Sequence, residues 1–343
     1  MDILIKSFNR PFYLDRCISS IYQFVEGIYT IKVMDDGTPE RYLTKIQEKY
    51  PKVIITRSEN YNEKRNAIEE NLQNGKEING FKIPTQLWIQ SVKEASPYFI
   101  ITEDDVWFTE RINVTKLEKT MNEENISLVK LGWLGNTSPF GDFEHHRITS
   151  DITVVYPKLF TAPRFVMSWF FFNTFKFFSL LYRLGLVTNH TKGKYWVLNS
   201  ILMGMYKKEY WLEIWKNADG KVDEKRQLLN ASLYYRKHKK DKNLIAQLNT
   251  EAMKTSFISS ATNSYHSFED NFDMNQFNHI INEKWYNNEF DPLENFPKDF
   301  SQKYISFFLD EVKNERATSS EWKKFTEKFK SQYRNQGCLI DDD

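Results

Sequence analysis

Along its first hundred residues the chain alternates short apolar runs with amphipathic stretches. Ile3, Leu4 and Ile5 form a run that stops at the polar Ser7 and Asn9. Pro11 stands where a first helical turn accepts proline, and Leu14, Cys17, Ile18, Ile21, Tyr22 and Val25 follow at helical spacing up to Gly27. A second run, residues 31–34, is stopped by Asp35-Asp36-Gly37. Pro39 opens a further helical pattern through Leu43 and Ile46, and residues 53–55 make a third run. A polar helical section over 60–74 leads through a loop at Gly80 to Pro84, which starts a helix holding Leu87, Trp88 and Val92. A fourth run, 98–101, goes straight into Glu103-Asp104-Asp105. Strands separated by helices predict an α/β fold: a mostly parallel, Rossmann-like sheet with right-handed crossovers, flanked by helices.

Past residue 110 the pattern loosens. Residues 128–131 predict a strand and 132–141 a loop. The stretches 195–215 and 222–237 predict helices, and the polar tail after 298 predicts helix with Phe307, Phe308 and Val312 as a docking stripe. Residues 165–187 are rich in Phe and Leu, but Asn173, Lys176 and Arg183 interrupt them. Charge at mid-depth is costly in a bilayer, so the expectation is a buried core segment rather than a spanning helix, with membrane-surface docking as the alternative.

Charge and cysteine usage narrow the classes. The 343 residues carry 47 Lys plus Arg against 46 Asp plus Glu, a balance that gives no support for a nucleic-acid partner. The two cysteines, Cys17 and Cys338, lie at opposite ends with no metal-type spacing, which fits a reducing compartment. The opening Met-Asp-Ile-Leu-Ile-Lys runs directly into a strand without a basic leader, so the expected location is cytoplasmic, including the inner face of a membrane.

The chemistry gathers at strand ends. In open α/β sheets ligands sit beyond the carboxyl ends of the strands, and polar residues follow the first, second and fourth runs. Asp35-Asp36 before Gly37 is also ordinary turn chemistry, but at a strand end a carboxylate can accept from a uracil N–H or a ribose hydroxyl. The three acids Glu103, Asp104 and Asp105 repel one another. A hard divalent cation resolves that repulsion, since Mg²⁺ or Mn²⁺ uses one or two carboxylates together with phosphate oxygens.

These residues resemble a known family. Ile-Lys-Ser-Phe-Asn-Arg-Pro at residues 5–11, Met-Asp-Asp-Gly-Thr at 34–38 and Thr-Glu-Asp-Asp-Val at 102–106 look like GT-A fold glycosyltransferases of the family two type, over residues 2–110. The resemblance implies a GT-A-like sheet binding a nucleotide-sugar donor, a UDP-sugar for preference, and a glycan or other hydroxyl acceptor. On it Ser7, Asn9 and Asp36 lie near the nucleotide, with Arg10 and Asp35 beside them. Glu103-Asp104-Asp105 stands where the Asp-x-Asp motif belongs, Asp105 holding Mn²⁺ or Mg²⁺. Phe8 for the usual Tyr and Glu103 for the first Asp depart from the pattern and blur the subfamily.

Later positions supply further candidates. Asp223 and Glu224, ahead of a helical pattern, look like the late acidic motif that provides the general base in inverting members, and Glu224 is preferred; helix capping is the competing account. Asp142 and Glu144 are the rival acids. His266 resembles a late metal-shell histidine, and His145-His146 is a weaker alternative because adjacent side chains point apart. Arg65 is a diphosphate candidate, though a solvated helix face suits it too. Trp133, Trp169 and Trp196 are candidates for stacking on an acceptor sugar. The expected organisation is a donor-binding half over 1–130, an acceptor and catalytic half over 131–297, and a helical extension over 298–343. An inverting, metal-dependent sugar transfer in surface glycan or glycoconjugate synthesis is the expected activity. The rivals are a sugar-phosphate nucleotidyltransferase, which lacks its Gly-rich loop here, and a non-catalytic carbohydrate-binding protein.

Overall fold

The computed structural model describes residues 1–76, 81–135, 143–261 and 272–340. The predicted alternation is present: β1 (Asp2–Ser7), α1 (Pro11–Phe24), β2 (Val25–Glu26), β3 (Thr30–Asp35), α2 (Glu40–Lys49), β4 (Ile54–Arg57), α3 (Tyr61–Asn74), α4 (Thr85–Glu94) and β5 (Tyr98–Glu103). Short strands β6 (Val106–Phe108) and β7 (Ile112–Asn113) lead to α5 (Val114–Glu123), β8 (Leu128–Lys130), β9 (Glu144–Arg147) and β10 (Ile152–Tyr156). Then come α6 (Arg164–Phe172), α7 (Phe177–Arg183), β11 (Gly204–Lys207), α8 (Lys208–Ile214), α9 (Glu224–Lys237), β12 (Ile245–Leu248) and β13 (Met253–Thr255). Helices α10 (Met274–Tyr286), α11 (Gln302–Val312) and α12 (Ser319–Arg334) complete the described chain.

A nine-stranded sheet in the order β4-β3-β1-β5-β11-β8-β12-β10-β9 forms the centre. Its first four strands are parallel, β1 lying between β3 and β5. Antiparallel β11 then joins β5 to β8, and the far edge is mixed. The strands' alternation sends neighbouring side chains to opposite faces. Ile3, Ile5, Val33, Ile100, Val129 and Val154 face one core, with α1, α10 and α12. Leu4, Met34, Phe99, Ile101, Leu128 and Val155 face the other, with α4, α6, α8 and α9. Both faces of the sheet are therefore covered, as its parallel half requires.

The tail after residue 298 packs into the same core as β1, through Ile305, Trp322, Phe325 and Phe329. Buried Arg16 of α1 fastens the chain just before it, donating to the carbonyls of Pro292 and Glu294 at 3.1 Å each while its guanidinium lies 4.6 Å from the Phe300 ring. Of the expected docking stripe, Phe308 is buried, whereas Phe307 and Val312 are exposed.

Two expectations are corrected. The stretch 195–215 is not one helix, because Gly204 to Lys207 insert as a central strand. A Cβ at Gly204 would lie 2.6 Å from the Tyr206 ring, so glycine is what lets that strand pass its own aromatic neighbour. Its apolar spacing suits either element, and the gap between β5 and β8 decides. Residues 165–187 are not a buried core segment either. Only Met167, Phe170 and Phe171 are buried, on the side of α6 that meets α9, while Phe165, Phe175, Leu184 and Leu186 are exposed. No helix among the described residues is long and apolar enough to cross a membrane.

Trp322 is fully buried and its indole N–H donates to the Ile258 carbonyl at 2.9 Å. Trp322→Ala should cost about 3–5 kcal/mol in denaturant unfolding and leave one cooperative transition. A separate early transition of the tail would show that α12 does not share the β1 core.

Candidate active site

The carboxyl ends of β1, β3 and β5 lie side by side, Ser7 opposite Asp35 and Lys6 opposite Glu103. The loops that leave them bring seven predicted donor-side residues together: Ser7, Asn9, Arg10, Asp35, Asp36, Glu103 and Asp104, with the metal candidate Asp105 beside them.

Asp35 is buried and organises the turn. Its Oδ2 accepts from Ser7 Oγ at 2.9 Å and from Thr38 Oγ1 at 2.7 Å, and its Oδ1 from the backbone N–H groups of Gly37 and Thr38 at 3.0 and 2.8 Å. Burial pushes this carboxyl's pKa up, and those donors pull against it. With its oxygens engaged, Asp35 shapes the turn rather than reaching a ligand. Gly37 has φ +144°, and a Cβ there would sit 2.9 Å from Lys64 and 3.0 Å from the Phe8 ring, so only glycine lets the loops close.

Asp36 pairs with buried Lys64, which also donates to the Lys82 carbonyl at 2.7 Å. The other Asp36 oxygen, Oδ1, and the Ser58 hydroxyl are both buried and neither closes a hydrogen bond, although Ser58 is near enough to favour the carboxylate. Burial again raises the pKa, opposed by Lys64 and Ser58.

The three acids at the end of β5 are resolved from within the chain. Lys6 Nζ meets Glu103 at 3.2 Å. Arg10 reaches across both remaining carboxylates, donating to Asp104 Oδ1 and, at 2.7 Å, to Asp105 Oδ2; the Phe8 N–H completes Asp104 at 3.0 Å. Burial works against the Arg10 charge, but Asp104 and Asp105 outweigh it and its pKa is raised. Burial pushes Asp104 up to about 7 against the pull of Arg10. The sequence argument that three adjacent acids need a divalent cation is thereby corrected: a buried guanidinium already compensates two of them. Among the described residues no three His, Cys, Asp or Glu side chains converge in a way that could hold a metal ion. Asp105 Oδ1 nevertheless remains buried without a partner, so one carboxylate oxygen is free for a cation. A Mn²⁺ or Mg²⁺ ion fits here only as a shared one, completing its shell with phosphate oxygens and water.

The remaining candidates divide. Asp223 is the N-cap of α9, its Oδ1 accepting from the Arg226 N–H at 3.0 Å, which is the capping role. Glu224 follows it, exposed on the first turn. This helix start borders a cleft of about 430 Å³ lined by Lys82, Trp215, Gly220, Asp223 and Gln227. The cleft adjoins the strand ends: Lys6 Nζ lies 5.6 Å from the Trp215 ring, and the Ile83 N–H donates to the Gly220 carbonyl at 2.9 Å. Arg65 is half-buried with Nη2 on Asn66 at 3.2 Å. Glu144 is exposed and paired with Lys158, and His146 of the same strand contacts the Tyr156 hydroxyl at 2.6 Å. Trp133, Trp169 and Trp196 are half-buried at separate places. Asp142 and His266 lie outside the described residues.

Sequence reasoning missed Lys64, Lys6, Thr38 and Asn282. Asn282 of α10 donates to the Asn9 carbonyl at 3.1 Å, beside the left-handed backbone of Asn9 at φ 54°. A signal for Lys64 existed: it falls on the buried stripe Tyr61, Lys64, Ile68, Asn71, and Arg65 does not.

No family model and no curated protein matches the chain. Solved structures superpose on it weakly. One is S. aureus TarS in complex with UDP-GlcNAc, at 12% identity over 91% of this chain and 71% of that one, with a TM-score of 0.42. Another is glucosyl-3-phosphoglycerate synthase from Mycobacterium tuberculosis with Mn²⁺, UDP and glucosyl-3-phosphoglycerate, at 13% identity over 84% and 80%, with a TM-score of 0.36. At this level of superposition the chain's own residues have to carry the functional reading.

Arg10→Met should leave Asp104 and Asp105 buried and facing each other. Removing one partner of a buried ion pair costs about 3–5 kcal/mol, so a loss of that size in denaturant unfolding is expected. A variant as stable as wild type would mean that the guanidinium does not hold the acids together.

Proposed function

We propose that the chain is a nucleotide-sugar-dependent glycosyltransferase that moves a sugar from a UDP-sugar to a hydroxyl acceptor with inversion. The observation that carries this reading is the pair of buried carboxylate oxygens without a hydrogen bond, Asp36 Oδ1 and Asp105 Oδ1, just past the carboxyl ends of β3 and β5, the parallel strands on either side of β1, with Lys64 paired to the first acid and Arg10 to the second. In this reading the first oxygen accepts from a nucleoside N–H or hydroxyl, and the second shares a cation with a diphosphate. A buried acceptor left without a donor is costly, which a donor-bearing ligand or a cation relieves.

In this reading Asp36 orients the nucleoside, while Ser7, Thr38 and Asn9 hold the turn that presents it. Asp105, with His266 as a further candidate ligand, would hold Mn²⁺ or Mg²⁺, which supplies electrostatic stabilisation of the diphosphate as it leaves. Arg10 adds fixed positive charge at the same place and is always protonated. Glu224, next in sequence to the cleft-lining Asp223, accepts the acceptor's proton as the acceptor oxygen bonds to the anomeric carbon. The bond from that carbon to the diphosphate oxygen breaks, and the leaving nucleotide takes the electron pair. Asp223 keeps its cap, so we assign the base role to its neighbour. A glycan or glycoconjugate acceptor and a role in surface glycan synthesis complete the proposal.

Calorimetric titration with UDP, with and without Mn²⁺, tests the donor half. Asp36→Ala should weaken binding by about 1.5–3 kcal/mol, the worth of a hydrogen bond to a charged group. Asp105→Asn should remove the Mn²⁺-dependent part of the affinity. Binding of UDP that neither substitution changes would place the nucleotide elsewhere.

The base is tested by separating turnover from donor affinity. Glu224→Gln should lower kcat about a hundredfold or more with donor affinity kept. Asp223→Asn should stay active, and Asp223→Ala should lose about 0.5–2 kcal/mol of stability as a lost cap. A fully active Glu224→Gln would remove that residue from the mechanism.

A further inference from the structure

The segment from α6 through α7 presents an apolar surface that the fold does not use. Phe165, Phe172, Phe175, Leu180, Leu184 and Leu186 are each between 38% and 83% exposed, while only three residues of α6 reach the core. Trp169 gathers them at one end, its ring edge-on to Phe165 at 5.4 Å, to Phe175 at 5.6 Å and to Phe177 at 6.1 Å. The turn between the helices is held outward. Asn173, Phe175 and Lys176 all have φ near +55°, a conformation that costs a non-glycine residue, and Asn173 locks it by accepting from the Ser179 N–H at 3.1 Å. At its apex Phe175 is the most exposed large hydrophobic residue of the chain's described part. A monomer in water gains nothing by extending an aromatic ring on a strained turn, and contiguous exposed apolar patches mark interaction surfaces.

Charge identifies the partner. Acidic residues are as frequent as basic ones over the whole chain, 46 against 47, yet none occurs between Asp151 and Glu209, where eight Lys and Arg do. Arg164, Lys176 and Arg183 lie on the hairpin itself and are exposed. A protein partner of ordinary mixed charge would not require the complete loss of acids over 57 residues, whereas an anionic surface would. Phe, Trp and Leu at the apex with Lys and Arg around them are the composition of an interfacial anchor, too short to span.

We propose that the α6–α7 hairpin docks the protein on an anionic lipid bilayer, inserting Phe165, Phe172, Phe175, Leu184 and Leu186 at the headgroup boundary while Arg164, Lys176 and Arg183 meet the lipid phosphates. The hairpin packs against α9, whose first turn borders the cleft, so docking would hold that cleft at the membrane surface. The inference stands on this surface alone and does not need the transferase reading.

The test is flotation of the full chain with vesicles of phosphatidylcholine alone and of phosphatidylcholine with about one-third phosphatidylglycerol, at low and high salt. Binding is expected on the anionic vesicles, weak on the neutral ones, and reduced by salt because the basic contribution is screened. F175S combined with L186S, and separately K176E combined with R183E, should each lower the bound fraction about tenfold, since a single class of contact gives only marginal anchoring. All four positions are exposed, and unchanged circular dichroism and melting confirm the fold. Absence of binding by the wild-type chain, binding that neither variant reduces, or a dimer abolished by F175S/L186S without vesicle binding would each overturn the proposal.

Discussion

The buried contact of Arg10 with Asp104 and Asp105 is the constraint on which the site depends. Two adjacent carboxylates at the end of a buried strand cannot both stay ionised without a cation, and Arg10 supplies one from the loop after β1. That contact ties the end of β5 to the end of β1. The β1 loop is in turn tied to β3, through Ser7 on Asp35 and through the Asn9 N–H, which donates to Thr38 at 2.8 Å. Three loops that leave separate strands are thereby fixed relative to one another before any ligand arrives. Catalytic electrostatics depends on that kind of preorganisation.

A fixed cation changes what an added ion has to do. Where two carboxylates face each other unpaired, a divalent ion is needed even to keep the loop folded. Here Arg10 carries that load, and in the proposed reading an ion at the unpaired Asp105 oxygen would have the narrower task of meeting the diphosphate. The same economy holds at Asp36, where Lys64 compensates one oxygen and leaves the other open. The site is therefore held together by its own residues, with two buried carboxylate oxygens left unpaired.

Much of this was legible in the sequence. The apolar runs of β1, β3 and β5 and the polar residues at their ends were readable because a parallel strand buried on both faces is a continuous hydrophobic run, and turn chemistry marks where it stops. What was not legible depended on partners far apart in the chain. Nothing local says that Arg10 lies across Asp104, 94 residues away, or that Asn282 closes on Asn9 across 273. Strand β11 was hidden because its few apolar residues fit either period, and only the space between β5 and β8 makes it a strand. The α6–α7 segment misled in the other direction. Its hydrophobicity suggested burial, but burial needs a facing surface, and α9 covers only one side of α6.

The central claim is that a nucleoside diphosphate sits at the ends of β1, β3 and β5, against Asp36, Arg10 and Asp105. Crystals grown with UDP and Mn²⁺, with diffraction collected at the manganese edge, address it directly. The account predicts a single anomalous peak beside Asp105 Oδ1, with diphosphate density bridging it and Arg10 and the nucleoside hydrogen-bonded to Asp36. A peak and nucleotide density away from these three residues, with the Arg10 contacts to both acids unchanged, would contradict it.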